Sequence, residues 1–422
     1  MALADIYQKA TLVQIPSGYK AADAELYSVV PNTTAGDFTV SVDADATRVN
    51  KDGLVESVAA NQARLDYNPT NPQDPTLLLE PERTNIYTYS QDLGQGTTLT
   101  NTSVDNDNTT SPDGSLTGNK LTQTSGAFTR KNLGVVLSGT YAWSFFAKKG
   151  DLRYLNARSL FVLNGTTPAN GNTIIDLNTN TIAYKGTNVT SASIEQYPND
   201  WIKVEIVATD NATGSGDFVD FFFTDSDTST QSTGVAGNGF IWGVQFESGS
   251  YGTSYIPNLS SGSTTRTQDR CINGGDDALF NDSEGVLFAD LEALGDGTTA
   301  RKISLSDGST DFVSIEFTTV AGVIAFSAGS TNNTFFSSIA VSGQTPKNRN
   351  KIAIKYKSGN TDCFVNGTKV LTRTEAFTLS GLDRVNFENR ATSGSQNMFA
   401  KIHQLMVFNE ALTDAELTTL TT

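Results

Sequence analysis

The sequence predicts an all-β protein: two jelly-roll sandwiches in tandem behind an N-terminal extended and hairpin segment. Three observations lead there. Short runs alternate with period two, as in Trp201-Ile202-Lys203-Val204-Glu205-Ile206-Val207, and such alternation marks a strand with one face in a core. Turn dipeptides such as Asp52-Gly53, Asp307-Gly308 and Asn366-Gly367 punctuate these runs, because glycine supplies the positive φ a tight hairpin needs. Thr, Ser, Asn and Gly are abundant, while helix formers are scarce outside a few windows; many short strands joined by polar turns have this composition. A chain of 422 residues can bury two or three separate cores. The divisions fall at residues 1–84, 85–268 and 269–422.

In the first division, Thr47 to Glu56 reads as a hairpin about Asp52-Gly53. Pro69, Pro72 and Pro75 follow within seven positions. Proline fixes φ and lacks an amide donor, so this stretch is an extended connector and not a central strand. Leu77-Leu78-Leu79 then forms a short apolar clamp, and the division is read as an attachment or oligomerisation segment.

In the second, Tyr141 to Ala147 is an aromatic strand ending at the turn Lys148-Lys149-Gly150-Asp151. Thr173 to Asn178 and Thr181 to Lys185 form a hairpin, and Asp217 to Phe223 and Gly239 to Glu247 are further strands. The Trp201 run sets Ile202, Val204 and Ile206 on one face and Trp201, Lys203, Glu205 and Val207 on the other. Eight to ten short strands at regular spacing indicate a sandwich.

The third division offers strands over Val286 to Leu294, Ala300 to Leu305, Phe312 to Thr318, Val323 to Ser327, Lys351 to Lys357, Asp362 to Val365 and Phe399 to Phe408. A single well-signalled helix follows. Thr413-Asp414-Ala415-Glu416 is a capping box with Leu412 and Leu417 as its hydrophobic staple, expected to close the base of the last sandwich.

Charge excludes several functions. The formal net charge is −16, which favours solubility and repels nucleic acid, whose binding needs clustered Lys and Arg. The apolar stretch Phe218 to Phe223 is far shorter than the ~20 residues of a membrane span, so no membrane insertion is expected. Met1 to Gln14 carries Asp5 and Lys9 and no continuous apolar core, so it does not read as a signal peptide. Cys271 and Cys363 stand alone; two thiols cannot build a Cys-rich zinc site, and two buried reduced thiols are favoured over one bridge.

The C-terminal runs Asn350 to Tyr356, Asp362-Cys363-Phe364-Val365-Asn366-Gly367 and Lys401 to Leu412 resemble the ending of laminin-G/concanavalin-like jelly-roll modules: a strand, a hairpin, and a final strand running into a short helix. A second set of patterns resembles phage tail-fibre, head-fibre or decoration proteins. These are Ala10 to Lys20, Ala46 to Glu56 with Leu77 to Asn85, and Ile241 to Glu247 with Tyr251 to Pro257. The resemblance implies a virion structural protein, assembled in the host cytoplasm and exposed on the particle surface. Its implied partners are other virion proteins and host cell-surface carbohydrate. A homotrimer is expected by analogy with phage fibres and not from any heptad, since none is present. It carries over no site residues.

The candidate chemistry is sparse. A glucanase on a concanavalin-like sandwich needs two carboxylates facing one cleft. Asp290 and Glu292 in Phe288-Ala289-Asp290-Leu291-Glu292 share a face without a third acid, and a solvated strand face is favoured. His403 is the sole histidine, so any Ser-His-Asp mechanism would have to use it; a half-buried strand histidine sharing a face with Phe399, Lys401, Leu405 and Val407 is favoured. Asp105-Asn106-Asp107-Asn108 and Asp225-Ser226-Asp227 are oxygen-rich but lack the glycine and distal Glu of a helical calcium loop, and read as solvated turns. Gly234 to Gly239 has no helix to follow and is a turn, not a phosphate loop. Trp143, Trp201, Trp242, Tyr251 and Tyr255 could face sugar rings, yet each sits in or beside an apolar strand and reads first as core.

The expectation is therefore a non-enzymatic virion fibre or spike subunit without cofactors, catalytic residues or metal ligands, binding host glycans through many weak sites. A decoration protein binding only its virion neighbours and a polysaccharide-degrading hydrolase are the alternatives.

Overall fold

The computed structural model describes residues 2–16, 25–44, 46–134, 137–162, 168–210, 217–295, 297, 299–330, 333–390 and 394–422. Ser17-Gly18-Tyr19-Lys20, the end of the first phage-like pattern, lie outside the described residues. The chain is all-β, with two sandwiches in tandem.

One ten-stranded sheet builds the first sandwich. Its pivot is the long strand Gly118–Asn132. The first half of that strand pairs with Gly237–Ser248, Asn119 opposite Ile241. Its second half pairs with Phe218–Thr224, Thr129 opposite Phe221. Gly126, at φ +81°, lies between the two halves, where a residue without Cβ lets the strand change course. The two halves of the sheet then face each other. Phe221 from one meets Trp143 and Phe145 from the other, with ring centroids 5.0 and 4.8 Å apart. Ile202, Val204 and Ile206 join this core, as their alternation predicts. Trp201 on the opposite face is buried too, in a smaller cluster with Trp242, Phe146, Tyr197 and Tyr255.

The second sandwich packs an eight-stranded sheet on a five-stranded one. Leu287, Ala289, Leu291, Ile352, Ile354, Leu405 and Val407 from the first sheet meet Ile303, Leu305, Val313, Ile315 and Phe326 from the second. The predicted strands appear as Glu284–Ala293, Arg301–Ser306, Phe312–Phe317, Ile324–Ser330, Asn350–Lys357, Thr361–Val365 and Ala400–Phe408. Asn366 and Gly367 take φ +48° and +77°, the paired positive values of a two-residue hairpin turn.

Residues 1–84 do not form a unit of their own. Leu12–Gln14 and Thr76–Leu79 both pair with Ala400–Phe408, Leu12 opposite Val407 and Leu77 opposite Ile402. Phe38–Ser41 pairs with Arg270–Ile272, and Arg83–Asn85 with Thr264–Arg266. The physical reason is burial: Leu12, Leu77 and Leu79 belong to the core of the C-terminal sandwich, and a clamp left outside it would expose that apolar surface. The hairpin Thr47–Val49 with Val55–Ser57 forms as predicted, Gly53 at φ +78°.

The capping box also forms. The Thr413 hydroxyl accepts from the Glu416 N–H at 3.3 Å, and the Glu416 carboxylate accepts from the Thr413 N–H at 2.8 Å. The helix Asp414–Thr421 does not close the base of the sandwich, however. Leu412, Leu417 and Leu420 pack with Ile6, Val13, Val286, Phe288, Phe364 and Met406 on the outer face of the eight-stranded sheet. Those apolar side chains alternate away from the inner core and need a cover of their own.

Candidate functional site

A solvent-open groove of about 460 Å³ lies on the first sandwich, lined by Tyr89, Gln91, Asp92, Gln95, Asn106, Asp107, Thr117 and Leu259. The loop after Arg83–Asn85 supplies the first four. The strand Thr98–Thr109 supplies Asn106 and Asp107.

The loop is fixed from below. The Tyr89 N–H donates to the Ser260 carbonyl at 3.2 Å and the Ser90 N–H to Asn258 at 2.7 Å. The hydroxyls of Ser90 and Tyr255 lie 2.5 Å apart. The buried Asn119 amide donates to the Gln91 carbonyl at 2.9 Å. Asp92 accepts from the Gly94 N–H at 3.0 Å and from the Asn106 side chain at 2.6 Å, which orients that amide across the groove. Thr117 accepts the Trp242 indole N–H at 2.9 Å.

Two lining residues, Tyr89 and Asp107, have φ +55° and +56°. The left-handed region is costly for an aromatic residue, and such strain persists only where the surroundings enforce it. Behind Tyr89 stands Lys131, almost fully buried. Its ammonium lies 5.0 Å from the Tyr87 ring centroid and 5.8 Å from that of Tyr89, and donates to the Thr88 carbonyl at 3.0 Å. Burial pushes the Lys131 pKa down to about 8.

A second cavity, about 150 Å³, sits where the two sandwiches and residues 47–80 meet. Its polar groups are paired among themselves. Lys401 lies 3.1 Å from Asp66, and Lys203 donates to the Thr253 carbonyl at 3.2 Å. Beside it runs a buried ionic network. Glu80 lies between the guanidiniums of Arg64 and Arg266, each 2.6 Å away, and accepts from the Ser254 N–H and hydroxyl at 2.7 Å. Arg64 also pairs with Asp269. Burial alone would raise the Glu80 pKa, but the two guanidiniums outweigh it and hold the carboxyl well below its usual range. This network joins elements and leaves no group facing solvent for chemistry.

The residues singled out in the sequence go to different places. Asp290 is no solvated carboxylate: Arg349 grips it at 2.8 and 2.7 Å, and it is buried. A two-pronged guanidinium contact of this kind occupies both carboxylate oxygens. His403 sits on the same strand pair but not on the face its alternation predicts. A bulge opposite Asp290 and Leu291 inserts a residue, so Ile402 faces the core before it and Leu405 and Val407 after it. Burial, then the Arg349 charge, lowers the His403 pKa. Cys271 and Cys363 are free and buried.

Trp143, Trp201, Trp242 and Tyr255 are core residues, and Tyr251 is half-buried under Arg83. Asp225 and Asp227 are in an exposed turn. Gly234 bridges Ala127, and Gly237 begins a strand. The run Asp105 to Asn108 is part of a strand instead of a turn, and it brings Asn106 and Asp107 to the groove. Tyr89 and Gln91 gave no sequence signal, because what places them is a loop anchored by Ser260, Asn258 and Asn119 from distant parts of the chain. Among the described residues, no group of three or more His, Cys, Asp or Glu is placed to hold a metal.

No family model matches the sequence, and no curated protein matches it. Solved structures share part of the fold. One is the CBM40 of the Ruminococcus gnavus IT-sialidase bound to α2,3-sialyllactose, with 18% identity and TM-score 0.30, covering 34% of this chain and 84% of that one. Domain 4 of the arabinanase AbnA from Geobacillus stearothermophilus, in complex with arabinotriose, shows 15% identity and TM-score 0.29 over 37% of this chain and 73% of that one. The leech intramolecular trans-sialidase shows 17% identity and TM-score 0.29 over 33% and 23%.

Proposed function

We propose that the chain is a non-catalytic glycan-binding protein and that the groove at Tyr89 is its saccharide site. One observation carries this reading. A solvent-open groove places an aromatic ring and an exposed leucine, Leu259 at 64% exposure, among amide, carboxylate and hydroxyl groups that a buried scaffold holds in place. Sugars present both apolar C–H faces and arrays of hydroxyls, which donate to carboxylates and both donate to and accept from amides. A site of fixed planar polar groups around an apolar patch fits that chemistry.

We place the protein on a virion surface, as a fibre or spike subunit, on the strength of the phage-like sequence patterns at residues 10–20, 46–56 with 77–85, and 241–247 with 251–257. Repetition of a weak groove across a particle would give it useful avidity.

The test is a glycan array followed by titration calorimetry of the hits with the full chain. Saccharide binding that Tyr89→Ala weakens at least tenfold, with the thermal transition retained, is the expected result. Absence of saccharide binding, or binding indifferent to Tyr89→Ala, overturns the reading.

A further inference from the structure

We infer that this groove selects uncharged saccharides and turns acidic ones away; the inference rests on the saccharide reading of the same groove. The charges around it are one-sided. Asp92 and Asp107 line it. Among the described residues, no Lys, Arg or His lines it.

The nearby cations are turned elsewhere. Lys131 is held behind the Tyr87 and Tyr89 rings, only 3% exposed, with its ammonium committed to the Thr88 carbonyl. A Cβ added to Gly96 would meet that ammonium at 2.9 Å, so the loop is closed down on it. Lys120 alternates to the face away from Asn119, whose amide supports Gln91, and its ladder partner Asp105 shares that face.

An acidic sugar would bring its carboxylate or sulfate against two aspartates, with no cation among the described lining residues to offset them. A neutral sugar would instead donate hydroxyl hydrogens to both. Asp92 serves it twice, since it also orients the Asn106 amide. The net charge of −16 adds a long-range barrier against anions, one that salt screens within about 10 Å at 0.1 M.

The experiment is titration of the full chain with matched pairs: neutral oligosaccharides and the same oligosaccharides carrying sialic or uronic acid. Each pair is measured at low and high salt. The expected result is at least tenfold weaker binding of the acidic member at low salt, with the gap narrowing as salt rises. Asp107→Asn is expected to shrink the neutral-to-acidic ratio, since asparagine tolerates the positive φ there and removes one charge. Acidic members that bind as well as, or better than, neutral ones overturn the selection while leaving the groove a glycan site. A ratio unchanged by Asp107→Asn also overturns it. Failure of both members of every pair to bind, with Tyr89→Ala without effect, instead brings down the saccharide reading itself.

Discussion

The Trp242 indole donates its N–H to the Thr117 hydroxyl at 2.9 Å, and so ties the wall of the groove to the aromatic cluster beneath it. Trp242, Phe146 and Tyr255 pack with ring centroids 5.3 and 4.9 Å from the indole. The same Tyr255 reaches the Ser90 hydroxyl next to Tyr89. Residues that look like sugar platforms in the sequence lie in the core beneath the groove and support it.

Thr117→Val tests that support. The variant keeps the shape and removes the acceptor, leaving a buried indole N–H unpaired at a cost of about 1–3 kcal/mol. The expected outcome is a lower unfolding midpoint in urea together with weaker saccharide binding, whereas substituting the exposed Leu116 changes neither.

Arg64→Met is expected to be among the most destabilising single changes. It leaves Glu80 with one guanidinium and Asp269 without its ion-pair partner, in a site where both arginines and both acids are buried. Breaking a buried pair from one side costs about 3–5 kcal/mol. Chemical denaturation of the full chain measures it, and a loss under 1 kcal/mol would show that the network is solvated.

Glu416 sets a pH dependence. Burial would raise its pKa, but Lys9 at 2.9 Å and the Thr413 groups outweigh that and hold it at about 2, against 4.5 for an ordinary glutamate. The unfolded chain therefore takes up this proton first as pH falls. The stabilisation is complete above about pH 4.5 and is lost between there and about 2. Glu416→Gln is expected to lower stability at pH 7 by about 1 kcal/mol, a typical capping value, and the difference from wild type should shrink steadily below pH 4.5.

Residues 269–422 expressed alone are expected not to form a cooperative fold. Without Leu12–Gln14 and Thr76–Leu79, one side of Ala400–Phe408 lacks its partners, and Leu12, Leu77 and Leu79 leave the core. An unpaired strand edge beside exposed apolar surface promotes association. A sharp thermal transition from a monomeric fragment would refute this.

Local signals read well from the sequence. Period-two alternation located Trp201 to Val207, Asn366-Gly367 fixed a hairpin, and Thr413 with Glu416 announced a helix, because each depends on neighbours within a few positions. Pairing of Leu12 with Val407 depends on nothing local, and one sequence carries no trace of it. The bulge at His403 shifts alternation by a single residue, so Lys401 and Leu405, which strict period two would put on one face, lie on opposite faces. The groove was half legible: Asn106 and Asp107 stood out as oxygen-rich, while the left-handed Tyr89 is a product of loop anchoring from three remote segments.

The position of Ala400–Phe408 between Glu284–Ala293 on one side and two N-terminal strands on the other has a consequence for biosynthesis. Leu12–Gln14 and Thr76–Leu79 leave the ribosome before the strand Ala400–Phe408 that they pair with, and at about 5–20 residues per second they wait for it on the order of tens of seconds. During that interval the leucines at 12, 77 and 79 are uncovered apolar surface, the kind that promotes association. Only synthesis of Ala400–Phe408 gives those leucines the strand and core that cover them.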